Sequence, residues 1–252
     1  MWLNNCKREL TTRVLTTLLC LAVARPAVAQ RTNGGRGSKP GGVITLETRL
    51  PNFSVAGVSR LHALVQFSRQ LRVPLGIECV RPSAFRPVQA LSLTRPSVRE
   101  VLQSILGRSH GYVVSLAGGV VNVNCPEGIN AKGNLFGAVV PRFSIPRSNL
   151  ATASLNLWMS LELRLHPETE GFAGDYSPAP LGHDIGPLEM RGATVRQILN
   201  AIVASYGEAA WVATAPPSRL GRLPQSGLWA VIDYKDPRWA DLIMAVRARF
   251  NN

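Results

Sequence analysis

Acidic side chains are scarce in this 252-residue chain: 15 Asp and Glu stand against 28 Lys and Arg, a formal charge of +13. Such a basic field attracts nucleic acid, anionic lipid or acidic polymers alike. The Arg residues are scattered rather than clustered, which fits a solvated Arg-rich surface better than a focused binding patch. Long apolar runs are missing beyond residue 29, so no later segment could cross a bilayer as a helix. Charged residues make up only 17% of the chain and apolar ones 46%, which excludes a disordered chain and suits a globular one. Catalytic signatures are missing too. No G-x-S-x-G sits in the strand-to-helix turn of a nucleophile elbow (Gly107 to Gly111, G-R-S-H-G, follows a predicted helix instead), and there is no G-x-x-x-x-G-K-[ST] phosphate loop and no G-x-G-x-x-G after a strand. Gly34-Gly35-Arg36-Gly37 falls in a Gly-rich stretch, not in a strand-to-helix turn.

What is present begins with an export signal. Lys7, Arg8 and Arg13 form a positive start, Val14 to Ala24 an apolar stretch, and Ala27-Val28-Ala29 a small-x-small cleavage site. Cleavage is expected between Ala29 and Gln30, which makes 1–29 a signal peptide and places the protein in the periplasm or outside the cell. The apolar stretch is shorter than the roughly 20 residues of a membrane helix, which disfavours the alternative of an uncleaved anchor. Leu19 before Cys20 disfavours a lipid-attachment site, where a small residue is normally needed. The signal carries Lys7, Arg8, Arg13 and Arg25 against Glu9, so the mature chain keeps +10 of the +13. Outside the cytoplasm nucleic acid is the least available anionic partner, and none is expected.

Cysteine is as sparse as acid. Of four, Cys6 and Cys20 leave with the signal, and Cys79 and Cys125 remain. An even pair in an oxidising compartment favours a structural disulfide, and the alternative is two buried thiols that never meet. Closing that loop would stabilise the fold by about 4 kcal/mol on the chain-entropy account. A thiol nucleophile is disfavoured for the same reason.

Residues 30–42 have no apolar periodicity and read as a flexible Gly-rich leader. Val43 to Leu50 alternates apolar and polar residues, which predicts a strand, continued by Phe53-Ser54-Val55 into a turn. Val58, Leu61, Leu64, Val65 and Leu71 fall at helical spacing, and Pro74 stops that helix. Short strands are predicted at 75–80 and 90–93. Ser97 and Glu100 form an S-x-x-E capping box ahead of the stripe Val98, Val101, Leu102, Ile105 and Leu106. A hairpin follows, Tyr112 to Leu116 and Val120 to Asn124, turning at Ala117-Gly118-Gly119.

The same order then recurs. Phe143-Ser144-Ile145 matches Phe53-Ser54-Val55, and a helix is predicted from Asn149 to Leu165. Leu188-Glu189-Met190 stands where Leu91-Ser92-Leu93 stood, and Thr194 to Val203 mirrors Ser97 to Leu106, capping pair (Thr194, Gln197) and apolar stripe included. Phe53 to Val98 spans 45 positions and Phe143 to Val195 spans 52, the surplus fitting a longer loop at 166–186. Trp211 to Ala213 and Leu228 to Ile232 supply a closing hairpin. Shared order, cap, stripe and hairpin favour duplication over two helices alike by chance.

Four histidines are candidates for chemistry. His62 lies on the first helix and His110 just past the second, which reads as ordinary surface. The loop carrying His166, Glu168, Glu170, Asp175, His183 and Asp184 has the ligand types for a divalent metal, but its spacing matches no tight signature. Trp158, Trp211 and Trp229 read as core residues. Trp239, with Arg238, Arg247 and Arg249, gives 237–252 the composition of a basic amphipathic tail, suited to the membrane surface, a partner, or packing on the second unit.

The order β-α-β-β-α-β-β, the run R-V-P-L-G-I-E at Arg72–Glu78 and the strand-helix-hairpin run from Leu91 to Val123 resemble the STN domain, the short N-terminal domain of secretins and TonB receptors. The resemblance covers 43–126, and the second copy resembles it more weakly. It implies an α+β fold of two tandem β-α-β-β-α-β-β modules, each a small sheet covered by two helices. On this reading 43–126 is the first module, 127–133 a linker, and 134–236 a second, diverged module. The family's module docks partner proteins in the bacterial periplasm, ahead of an outer-membrane barrel or secretin pore that this sequence lacks. It has no active site to carry over. The expectation is a non-enzymatic docking or assembly module of an envelope secretion or signalling system, with an envelope protein as partner. It has no catalytic, cofactor or metal residues and no transmembrane segment in the mature chain, and it touches the outer membrane peripherally at most. The alternative is an extracytoplasmic enzyme or a metal- or ligand-binding protein using the 166–186 loop.

Overall fold

The computed structural model describes residues 44–78, 82–107, 111–124, 134–165, 183–213 and 229–235, without the side chains of 162–165, 229 and 230. The fold is α+β. Its first half runs β1 (Phe53–Val55), α1 (Arg60–Leu71), β2 (Leu75–Ile77), β3 (Leu91–Leu93), α2 (Val98–Leu106), β4 (Val113–Ala117) and β5 (Val120–Asn124). Its second half runs β6 (Val139–Ile145), α3 (Leu150–Leu165), β7 (Leu188–Thr194), α4 (Val195–Tyr206), β8 (Ala209–Ala213) and β9 (Trp229–Asp233).

The helices begin where their caps dictate. Ser97 Oγ accepts from the Glu100 N–H at 3.1 Å, and the Glu100 carboxylate takes the Ser97 N–H at 2.6 Å, so two otherwise unpaired donors are satisfied. Thr194 and Gln197 repeat that box on α4, at 3.2 and 2.8 Å. The stripe behind each box is buried: Val98, Val101, Leu102, Ile105 and Leu106 on α2, and Val195, Ile198, Leu199, Ile202 and Val203 on α4.

One five-stranded sheet, ordered β4-β5-β2-β8-β9, draws on both halves. The outer hairpins β4–β5 and β8–β9 are antiparallel, and β2 between them is parallel to both β5 and β8. Alternation along the strands then assigns the faces. Leu75, Ile77, Val121, Val123, Ala210, Val212 and Ile232 share a core with α1 and α2. Val120, Ala209, Trp211 and Ala213 share the other core with α3 and α4. The helices of each half therefore cover one face of a common sheet. Two antiparallel ribbons complete the fold, with the same register in matching residues: Phe53 opposite Leu93 in β1–β3, and Phe143 opposite Met190 in β6–β7.

The join between halves depends on Gly76. It lies opposite Trp211 in the β2–β8 pair, and a Cβ there would sit 2.6 Å from the indole ring. Trp211 is wholly buried, stacked on Phe136 at 5.8 Å, with its indole N–H donating to Asn200 Oδ1 at 2.8 Å.

Two sequence expectations differ from this architecture. Each half was expected to own its sheet, whereas β2 joins both hairpins into one. The continuous apolar run Leu75-Gly76-Ile77 is buried throughout, which suits a central parallel strand and carries no mark of its partners. The strand expected at 43–50 is also absent over its described part, 44–50. Ile44 and Leu46 pack on the first core as the alternation implies, but the backbone turns at 46–47. Leu46 O and Thr48 O accept from the Arg99 and Val98 N–H groups, so the segment satisfies the first turn of α2 instead of a ladder. The signal, the Gly-rich leader, the 127–133 linker and the 237–252 tail lie outside the described residues.

Candidate docking edge

Gly118 and Gly119 both have positive φ, +60° and +76°, as a two-residue hairpin turn requires, and Ala117 pairs with Val120 across it. Neighbouring bonds show which backbone groups point where. Val121 N–H donates to Pro74 O at 2.9 Å, and Val123 O accepts from Glu78 N–H at 2.9 Å, so these β5 residues serve β2. In an antiparallel ladder the residues opposite them, Leu116 and Val114, are then not bonded to β5. Their N–H and C=O groups aim out of the sheet, and among the described residues β4 pairs with β5 alone.

The side chains of this edge are accessible as well. No residue of β4 is buried, whereas every residue of β5 is. Val114 and Leu116 pack partly on the first core, and Val113 on the opposite face is 46% exposed. Natural sheets blunt such edges with charge, proline or a bulge. Val113-Val114-Ser115-Leu116-Ala117 has neither charge nor proline, and its five pairs with β5 run without a break. The β6–β7 ribbon is protected by contrast: β6 contains Pro141 and Arg142, and Arg142 and Arg191 both reach Glu189 Oε1, at 3.5 and 3.4 Å. At the other end of the sheet, Asp233 of β9 is committed inward, accepting the Tyr206 hydroxyl at 2.5 Å. Burial, reinforced by that carboxylate, holds the Tyr206 hydroxyl well above its ordinary range.

The second sheet face carries a polar network that patterning did not reveal. Glu78, 3% exposed, follows β2 and receives Arg196 of α4 in a two-pronged ion pair, Nε to Oε2 at 2.6 Å and Nη2 to Oε1 at 3.0 Å. Asn134 donates to Glu78 Oε1 at 2.9 Å and accepts from Phe136 N–H at 2.9 Å. Beside it Asn122 and Asn124 are buried with unpartnered Oδ1 atoms. A glutamate just past a strand and a helix arginine far apart in sequence give no local signal of this pairing.

The residues singled out from sequence are dispersed. Cys79 and Cys125 lie outside the described residues, as do His110, His166, Glu168, Glu170, Asp175 and Trp239. Of the 166–186 loop candidates, His183 stacks on Tyr206 with ring centroids 4.3 Å apart, while Asp184 pairs with Arg147 at 3.2 Å. These two side chains therefore engage different partners. His62 sits on α1 with its imidazole pKa lowered by burial. Trp158 and Trp211 are core residues; the Trp229 side chain is not described. Sequence reading placed the β4–β5 hairpin but not its role as an edge, which depends on pairing.

Among the described residues no helix is long and apolar enough to cross a membrane, and no three His, Cys, Asp or Glu side chains gather as a metal site. Comparison with protein-family models, with curated proteins and with solved structures finds no match.

Proposed function

We propose that this chain is a non-enzymatic docking module of a bacterial envelope system, working outside the cytoplasm after removal of residues 1–29. Another polypeptide adds a strand to β4. The observation that carries this reading is the outward ladder of Val114 and Leu116 on an uncharged strand, the geometry of strand addition to a sheet edge. The resemblance of 43–126 to the STN domain supports the docking role, and the signal sequence supports the compartment. The shared register of the two ribbons supports a tandem duplication, with 134–236 a diverged copy.

The reading includes a disulfide between Cys79 and Cys125. Ile77 pairs with Val123 on adjacent parallel strands, and each cysteine lies two residues further along its own chain. An even cysteine pair in an oxidising compartment supports the bond.

The test is a cross-linked pull-down from the native envelope with the wild-type chain and Ser115→Lys side by side. Ser115 is exposed, so the variant is expected to melt at the wild-type temperature. An envelope component retained by the wild type and lost by the variant bears the proposal out. Equal recovery by both, or recovery by neither, overturns it.

A further inference from the structure

The β4 edge is symmetric about its middle residue. Its outward backbone groups belong to Val114 and Leu116, one on either side of Ser115. We infer that β4 pairs with β4 of a second copy, antiparallel and two-fold symmetric about Ser115. This rests on reading β4 as a docking edge: a second copy holds the edge in the free protein, and the envelope strand displaces it from the same Val114 and Leu116 groups.

The two-fold arrangement satisfies every outward group. Val114 of one copy and Leu116 of the other form a hydrogen-bonded pair, exchanging N–H to O in both directions, and the reciprocal pair forms on the other side of the axis. Ser115 faces its own counterpart in a non-hydrogen-bonded pair, and Val113 faces Ala117. On the helix-covered side, Val114 and Leu116 are only half buried by the first core, and each would cover the other's exposed part. Two five-stranded sheets thus become one continuous sheet across an isologous interface.

Charge favours a second copy at this place. Two copies of a mature chain carrying +10 repel wherever basic side chains meet, and like charges directly opposite one another disrupt a ladder. The five residues of β4 put no charge opposite itself. The same self-pairing at β6 would set Pro141 and Arg142 against the partner strand.

Sedimentation of the full mature chain and residue-specific cross-linking test the inference together. The wild type is expected to be dimeric at micromolar concentration. Ser115→Lys, which sets two ammonium groups against each other on the axis, is expected to weaken the dimer by about a hundredfold. Ser115→Cys should give a disulfide-linked dimer on a non-reducing gel, because a non-hydrogen-bonded pair brings Cα atoms to about 4.5 Å. Ala117→Cys, which faces Val113, should give none. A wild-type monomer, a dimer indifferent to Ser115→Lys, or cross-linking at 117 and not at 115 overturns the inference. A monomer that still retains an envelope component, and loses it on Ser115→Lys, sinks the self-pairing and leaves the docking function standing. A monomer that retains nothing sinks both.

Discussion

The two faces of the central sheet are built differently. The face under α1 and α2 is apolar along its strands, with Leu75, Ile77, Val121, Val123, Ala210, Val212 and Ile232 meeting apolar helix stripes, and Ser68 of α1 meets the Tyr234 hydroxyl just past β9. The face under α3 and α4 is threaded with polar contacts: Glu78 with Arg196 and Asn134, Trp211 with Asn200, and Tyr206 with Asp233. Apolar contact is tolerant of small shifts, because volume and patterning matter more than any one partner. A hydrogen-bonded contact is not, because a displaced partner leaves a buried group unsatisfied. The difference teaches that the second half is seated on the sheet by a set of directional bonds, where the first half is seated chiefly by shape, with the Ser68–Tyr234 contact added at one end.

The ion pair gives the largest expected effect. Arg196→Ala leaves the Glu78 carboxylate buried with Asn134 as its remaining partner, and should cost about 3 kcal/mol in denaturant unfolding. Ile77→Val on the apolar face should cost about 1 kcal/mol. Replacing both charges, Glu78→Leu with Arg196→Leu, should regain most of the loss, since the penalty belongs to the orphaned charge. Equal costs for Arg196→Ala and Ile77→Val would erase the distinction between the faces.

Next in size is Gly76→Ala. The added methyl lands 2.6 Å from the Trp211 indole, which is held by Phe136 and Asn200 and has little room to yield. A loss of about 2 kcal/mol is expected from overpacking, read as a lowered denaturation midpoint at unchanged slope. Trp211→Leu in the same chain should relieve the clash. The double variant would then lose less than the two single losses summed, a non-additivity confined to the second face.

Much of this was legible in the sequence, and the boundary has physical causes. Both capping boxes, both buried helix stripes and the Gly118-Gly119 turn are local features, and the structure holds them where the spacing predicts. The α+β class follows from them. What stayed hidden was long-range pairing. Nothing in Leu75-Gly76-Ile77 names Val121 on one side or Ala210 on the other. Gly76 acquires meaning only once Trp211 is known to lie across from it. The 44–50 segment shows the reverse error, since its alternation reports burial correctly while its carbonyls serve a helix terminus. The β4 edge is a property of sheet order, which a hairpin signal does not contain.

The caps carry the comparison to smaller effects. Ser97→Ala and Thr194→Ala each remove the same acceptor from the first turn of a buried helix, and each should cost about 1 kcal/mol. Similar losses would show that the two halves keep the same local device although their faces differ. A loss at one alone would show that the cap on the other is redundant with its surroundings.

The smallest effect separates the caps by charge. The first box ends in a carboxylate and the second in an amide. Hydrogen bonds from the Ser97 backbone and side chain, opposed by some desolvation and helped by Arg49, hold the Glu100 carboxyl below its ordinary value of 4.5. A folded pKa below the unfolded one means that the contribution is fully present above the unfolded value and is lost as pH falls through the folded value. Acidification from above to below pH 4.5, the ordinary value, should therefore progressively loosen the first turn of α2 and leave the cap of α4 untouched, read as faster amide exchange at Arg99 and Glu100 than at Arg196 and Gln197. Exchanging the residues should exchange the behaviour: Glu100→Gln makes α2 indifferent to acid, and Gln197→Glu makes α4 sensitive. If α2 stayed acid-sensitive in Glu100→Gln, the cap carboxylate would not be the source of the sensitivity.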